Sequence, residues 1–181
     1  MNTPANAELQ TGSTEPVLLL EGITKRFPGV VALDKVRFDV YPGEVHALLG
    51  ENGAGKSTLM KVLAGVYKAE EGHVYLDGEI CDPNNPLEAK HLGIVLIHQE
   101  LSLVPEMTVA ENIFLGSMPR KWPNRVDWGQ LKSHTDQILQ KLNSGFSATD
   151  KVGDLSIAKQ QMVEIARALV FKPKVVVFDE P

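Results

Sequence analysis

The residues best suited to chemistry lie in one glycine-rich stretch: Gly50-Glu51-Asn52-Gly53-Ala54-Gly55-Lys56-Ser57-Thr58. This stretch has the spacing Gly-x-x-x-x-Gly-Lys-Ser/Thr, which is typical of loops that bind phosphate groups. Glycine allows successive backbone N–H groups to turn inward around an anion, and Lys56 adds a positive charge. The hydroxyl of Ser57 is a suitable ligand for Mg2+. The stretch therefore predicts a phosphate-binding loop.

The flanking sequence indicates the elements that position this loop. Val45 to Leu49 is a nearly continuous apolar run, which predicts a strand buried on both faces. Lys56 to Ala64 has apolar residues at helical spacing, and Gly65 predicts the end of that helix. The alternative is a glycine-rich turn before an ordinary helix. The order strand, loop and helix favours the phosphate site.

The remaining periodicity predicts an α/β fold. Strands are predicted from alternating or continuous apolar residues within Val17 to Phe27, Val36 to Tyr41, His73 to Leu76, Ile94 to Ile97 and Val175 to Phe178. Helix starts are predicted at four capping residues, Asn85, Thr108, Asp127 and Ser156. These elements predict a parallel sheet with a small antiparallel β layer, and residues 101–156 form a helical insertion.

Composition excludes several classes of protein. The net charge of −5 argues against a nucleic-acid surface, and the single cysteine, Cys81, excludes a disulfide framework. No apolar run is long enough to cross a membrane, and no secretory signal is evident. Residues 1–16 are polar and predict a disordered leader. We therefore expect a cytoplasmic protein that meets a membrane only through a partner.

A second candidate site follows the last apolar strand. Asp179 could hold Mg2+ through water, and Glu180 could act as the general base that activates a water molecule. Taken alone, this pair favours a solvated acidic turn, but a phosphate loop in the same chain favours catalysis. Gln99 follows another strand, where its amide could bind Mg2+ or orient water.

These motifs together resemble the ATP-binding subunits of ABC transporters. The resemblance extends over residues 17–181 and rests on the phosphate loop, Gln99, the segment Leu155 to Gln161, and Val175 to Glu180. In detail the chain is similar to sugar importers of the ribose, galactose or xylose type. The resemblance implies a P-loop NTPase core, binding of ATP and Mg2+, and ATP hydrolysis.

The resemblance also implies roles for two further residues and a set of partners. Phe27 matches the aromatic residue that stacks on adenine, although a core phenylalanine is the alternative. Ser156 matches the signature serine, which in the family faces ATP on a second nucleotide-binding domain in a head-to-tail dimer. Membrane permease subunits would be direct partners and a periplasmic sugar-binding protein an indirect one, with the chain peripheral on the inner face of the cell membrane.

The match departs from the family pattern at two places. Ile157, Ala158 and Lys159 replace the two glycines and the glutamine of the common signature, as in the sugar importers. The family also continues with a strand that ends in a histidine at the outermost phosphate, so we expect residues 17–181 to be an incomplete domain. This expectation leaves open a nucleotide-binding fragment without catalysis. A soluble ABC ATPase in translation or DNA repair is a third interpretation, which the acidic charge disfavours.

Overall fold

The computed structural model describes residues 15–98 and 101–179 and divides the chain into two compact units, Met1–Asn84 and Asn85–Pro181. Both units combine strands with helices, so the predicted α/β class is confirmed. Gln99, Glu100, Glu180 and the predicted leader, apart from its last two residues, lie outside the described residues.

The first unit is an antiparallel sheet packed with one helix. Its strands have the order β2-β1-β3-β4 in the sheet. The elements are β1 Leu18–Phe27, β2 Val30–Val40, α1 Lys56–Leu63, β3 Glu71–Leu76 and β4 Glu79–Ile80. This sheet is the predicted antiparallel layer, with β2 beginning six residues earlier than the sequence indicated.

Local sequence signals determine the turns of this unit. Asp77 and Gly78 both have positive φ, 52° and 78°, which is the geometry of a type I′ hairpin turn between β3 and β4. The N–H of Gly65 donates to the carbonyl of Val62 at the end of α1, and the φ of Gly65 is 68°. Both turns agree with the prediction.

The core of the first unit lies between the sheet and α1. At the start of β1, Leu18 and Leu20 are buried and Leu19 is only partly buried, because side chains on a strand point to opposite faces. After Leu20 the register shifts, and the adjacent Ile23 and Thr24 are both buried. The buried apolar side chains of the sheet and the helix are Leu18, Leu20, Ile23, Leu33, Leu59, Val62, Leu63, Val74 and Leu76. The periodicity that predicted α1 thus also gives its buried face.

The predicted strand Val45 to Leu49 is wrong for this structure. The segment has no strand conformation, Val45 is 98% exposed and Leu49 is 88% exposed. None of the three sheets formed by the described residues includes this segment. An apolar run favours burial, but a strand also requires an adjacent strand to which its backbone can form hydrogen bonds. The segment leads into the phosphate loop as an exposed chain.

The second unit combines a short parallel sheet with helices. β5 (Ile94–Ile97) pairs in parallel with β8 (Val175–Phe178), in the register Ile94 to Val175. The other elements are α2 Pro86–Leu92, α3 Val109–Ile113, β6 Arg120–Lys121, β7 Arg125–Val126, α4 Trp128–Lys141, a 3-10 turn Val152–Asp154 and α5 Ile157–Leu169. The predicted parallel strands are therefore confirmed.

Capping residues start three helices of this unit where the sequence predicts. The side chain of Asn85 accepts the N–H of Glu88 at 3.0 Å, and that of Asp127 accepts the N–H of Gln130 at 3.1 Å. Thr108 and Glu111 form a reciprocal capping box at the start of α3. These bonds satisfy N–H groups that have no partner within the helix.

One hydrophobic core joins α3, α4 and α5. It includes Val109, Ile113, Leu131, Leu139, Val152, Val163 and Ala166. The polar face of α5 also forms hydrogen bonds. The Glu164 carboxylate accepts the N–H of Ser102 at 2.9 Å, and the Arg167 guanidinium donates to the carbonyl of Ser102 at 3.0 Å. The polar side of the amphipathic helix therefore holds the segment that follows β5.

No helix in the described ranges, 15–98 and 101–179, is long and apolar enough to cross a membrane.

Candidate functional site: a phosphate-binding loop

The phosphate loop is an irregular turn that leads directly into α1. The N–H of Ala54 donates to the carbonyl of Glu51 at 3.2 Å, which closes the turn. The ammonium Nζ of Lys56 donates to the carbonyls of Gly50 and Glu51 at 2.6 and 2.8 Å. Lys56 is therefore held across the beginning of the loop, where its charge can meet a bound anion.

Gly55 is the position where the loop most clearly requires glycine. Its φ is 89°, and a Cβ atom there would lie 2.5 Å from the carbonyl oxygen of Ala32 in β2. Gly53 has nearly the same φ, 86°, but a Cβ atom there would meet no atom within 4 Å. The loop thus packs on β2 at Gly55 and opens to free space at Gly53.

The start of α1 suits a phosphate group. Its first turn contains no acidic residue, and Gly55 at the N-cap supplies no side chain for the amides of that turn. Ser57 is exposed at this end of the helix. The N–H groups and the helix dipole favour a negative charge here, as does Lys56. The described residues of the loop therefore fit the phosphates of a nucleotide, and the Ser57 hydroxyl is available to Mg2+.

Phe27 is half-buried at the end of β1, in the same unit as the loop. Its ring packs against the ring of Tyr67, with centroids 5.2 Å apart and planes at 71°. The ammonium of Lys25 lies 5.5 Å from the centroid of the Phe27 ring. Sequence reasoning missed Tyr67 and Lys25, since no local pattern relates Tyr67 to a ring forty residues earlier.

An ion-pair network holds the strand end that carries Phe27. Nη1 of Arg26 donates to carboxylate oxygens of Glu71 at 2.8 Å and Glu70 at 3.2 Å, and Lys25 lies 3.6 Å from Glu70. The hydrogen bonds to Glu71 and Glu70 raise the pKa of Arg26. Loss of hydration opposes ionisation of Glu70, but the hydrogen bonds from Arg26 give it a net lowered pKa. Both shifts favour the charged forms of Arg26 and Glu70.

Ser156 immediately precedes α5 in the second unit. It occupies the N-cap position with extended backbone angles, but its hydroxyl makes no capping hydrogen bond. Ser156 and Lys159 are exposed, as is Ile157, and the first turn contains no acidic residue. The hydroxyl and the amides behind it are thus available to an anion from outside this unit.

Asp179 is the last described residue and continues the parallel sheet. Its N–H donates to the carbonyl of Ile97 at 3.1 Å, which places it at the carboxyl end of β8. Ligands of open α/β sheets bind at this end of the strands. Gln99 and Glu180, the other predicted catalytic residues, lie outside the described residues. Within residues 15–98 and 101–179, no group of three His, Cys, Asp or Glu side chains could hold a metal ion.

A glycine loop that leads into a helix and carries a bonded lysine defines the P-loop class of nucleotide-binding proteins. The sequence profile of the ABC transporter family matches residues 33–181, so the chain belongs to the ABC transporter family. The observed fold agrees with solved structures of that family. The chain is similar to a nucleotide-free ATP-binding cassette from an ABC transporter, with a TM-score of 0.78 and 34% identity. That match covers 92% of this chain and 70% of the other.

Two named relatives are similar over most of the chain. It is 50% identical over 166 residues to a ribose import ATP-binding protein of Rubrobacter xylanophilus, covering 92% of this chain and 33% of that protein. It is 49% identical over 175 residues to a putative ribose/galactose/methyl galactoside import ATP-binding protein of Burkholderia cenocepacia. That match covers 96% of this chain and 34% of that protein. The chain thus spans about a third of the length of these relatives.

Proposed function

We propose that this chain is the nucleotide-binding part of a subunit that hydrolyses ATP to energise sugar import through an ABC transporter. The observation that most supports ATP binding is the loop itself, in which Lys56 lies across two loop carbonyls at the start of α1. The similarity to two sugar-import ATP-binding proteins supports the transport process and the substrate class.

Different residues of the chain have different roles in ATP hydrolysis. Lys56 and the loop amides bind the outer phosphates of ATP and stabilise the negative charge that develops there. Ser57 would bind Mg2+ directly, Asp179 would hold it through water, and the Gln99 amide would bind the ion or orient water; the ion would supply positive charge near the phosphate oxygens. Glu180 accepts a proton from the water that attacks the terminal phosphorus atom in line. Phe27 stacks on adenine and thereby orients the nucleotide.

The remaining groups connect the chain to its partners. The exposed Ser156 and the N–H groups at the start of α5 contact ATP on a second nucleotide-binding domain in a head-to-tail dimer. The helical stretch Leu101 to Ser156 carries the surface that contacts the membrane permease, near the Met107 to Ile113 segment. Within that segment Met107, Thr108 and Glu111 are the residues that are not buried in the unit's own core. The protein is thereby peripheral on the inner face of the membrane. A periplasmic sugar-binding protein delivers the sugar to the permease and has no contact with this chain.

The test uses the full-length protein with its permease. Glu180→Gln preserves size and hydrogen bonding but removes the general base, so ATP should still bind while hydrolysis and sugar uptake fall at least about 100-fold. Asp136→Asn is the matched control, because it also changes a carboxylate to an amide and Asp136 forms an exposed ion pair with Lys132 within α4 at 2.6 Å. Normal hydrolysis and uptake with Glu180→Gln would contradict the proposal.

A further inference from the structure

Tyr67 connects the two ends of the nucleotide site within the first unit. It follows α1, and its N–H donates to the carbonyl of Lys61 in the last turn of that helix at 3.1 Å. The N–H of Val66 donates to the same carbonyl at 2.8 Å. Since α1 begins with Lys56, the position of Tyr67 is fixed relative to the phosphate-binding end of the helix.

The ring of Tyr67 then makes the aromatic contact with Phe27 described above, at 5.2 Å and 71°. Aromatic pairs prefer this tilted arrangement, in which the edge of one ring meets the face of the other. Both rings are half-buried, so neither is immobilised by burial in the core. The contact therefore restricts the orientation of the Phe27 ring.

The chain that follows Tyr67 reinforces this contact. The N–H of Glu70 donates to the carbonyl of Thr24 at 2.9 Å, and the N–H of Arg26 donates to the Glu70 carboxylate at 3.3 Å. The side-chain hydrogen bonds from Arg26 to Glu70 and Glu71 also hold this end of β1 against the chain that follows Tyr67. Backbone and ion pairs thus place Phe27 beside Tyr67. The Phe27 ring then meets the edge or face of the Tyr67 ring and the ammonium of Lys25, and of these two contacts the aromatic one depends on the plane of the ring.

We propose that Tyr67 is a positioning residue, which holds the Phe27 ring in the plane that a purine base requires when its phosphates occupy the loop. The inference rests on the proposed function, because it assumes that Phe27 stacks on adenine. Tyr67 does not itself contact the nucleotide. Tyr67 should therefore contribute to the binding affinity only of a ligand that has both a base and phosphates. A residue that supports the phosphate loop would instead contribute to the affinity of any ligand with phosphates.

The experiment compares two ligands on the 181-residue chain. ATP and inorganic tripolyphosphate share the phosphates, but only ATP has a base. Tyr67→Ala should lower the affinity for ATP about three- to tenfold, which is the range expected for the loss of one aromatic pair. The affinity for tripolyphosphate should be unchanged. Tyr67→Phe keeps the ring and should bind ATP normally. Tyr75→Ala is the matched control, since the Tyr75 ring packs against His73.

A double-mutant comparison isolates the ring contact. Phe27→Ala should lower the affinity for ATP more than Tyr67→Ala does. The double variant Phe27→Ala/Tyr67→Ala should bind ATP with the same affinity as Phe27→Ala alone, because Tyr67 acts only through Phe27. If Tyr67→Ala does not fold, Tyr67→Leu retains apolar volume without a ring and should show the same selective loss.

Three outcomes would overturn the inference, and they differ from one another. Equal weakening of ATP and tripolyphosphate by Tyr67→Ala or Tyr67→Leu would show that Tyr67 only supports the loop. Unchanged ATP affinity in both variants would show that the ring contact is irrelevant to the base. If the unaltered protein binds neither ligand, the proposed function fails and this inference fails with it.

Discussion

Gly55→Ala is the substitution whose cost the structure defines most closely. Gly55 is the N-cap of α1, where its φ is 89°, and it abuts the Ala32 carbonyl of β2. Gly53 is a natural control within the same loop, because its φ of 86° is nearly identical but its surroundings are open. The pair of substitutions therefore separates backbone strain from steric overlap.

The expected magnitudes follow from these two geometries. Alanine in the left-handed region costs about 1–2 kcal/mol, and this is the whole expected cost of Gly53→Ala. In Gly55→Ala the added methyl group would lie 2.5 Å from the Ala32 oxygen and 3.0 Å from Cδ2 of Leu33. Because a backbone carbonyl cannot turn aside like a flexible side chain, we add about 1–3 kcal/mol for the overlap. The total of about 2–5 kcal/mol is a large part of a typical domain stability of about 5–15 kcal/mol.

Urea denaturation followed by circular dichroism gives the free energy of unfolding of each variant. Gly55→Ala should unfold at a clearly lower urea concentration than Gly53→Ala, and both should unfold below the unaltered protein. Equal midpoints for the two alanine variants, with equal slopes, would refute the packing of Gly55 on β2.

Three further predictions concern other elements. The Glu111 carboxylate accepts the N–H and the hydroxyl of Thr108, and these hydrogen bonds lower the pKa of Glu111 below its ordinary value. Glu111→Ala should therefore cost about 1 kcal/mol at neutral pH. That contribution is complete above the unfolded pKa and disappears as the pH falls through the folded pKa; a stability difference that persists in acid would contradict it. Leu49→Ala should change stability by no more than about 0.5 kcal/mol because Leu49 is 88% exposed, whereas Leu59→Ala, at a buried position, should cost about 2–5 kcal/mol in the same urea denaturation experiment. A cross-linker placed at Met107 in the assembled transporter should capture the permease, and capture only from β1 or β2 would argue against the proposed contact surface.

Local chemistry made much of the fold predictable. The Asp77-Gly78 turn, the Asn85 and Asp127 caps and the Thr108 capping box each depend on residues within a few positions of one another. Their geometry is therefore present in the sequence before any long-range contact forms. The same holds for the positive φ of Gly53 and Gly55 and for the helix that follows them, whereas phosphate binding at this loop stays a prediction.

Long-range contacts account for what the sequence could not reveal. Val45 to Leu49 has the composition of a buried strand, but whether it becomes one depends on a neighbour that local sequence does not specify. Glu164 and Arg167 both bind Ser102, more than sixty residues away, and local sequence does not reveal that contact. Tyr67 belongs to this group as well, since its significance lies in a contact with Phe27.

Titration of the 181-residue chain with ATP tests the central claim most directly. Lys56→Ala removes the ammonium that lies across the carbonyls of Gly50 and Glu51, and a hydrogen bond to a charged group contributes about 1.5–3 kcal/mol. ATP affinity should therefore fall about 10- to 150-fold. Lys68→Ala is the matched control, because it removes an exposed ammonium paired with Asp82 at 3.3 Å and should leave the affinity unchanged. Equal ATP affinity for Lys56→Ala and the unaltered protein, with both folded, would contradict the assignment of this loop as the nucleotide site.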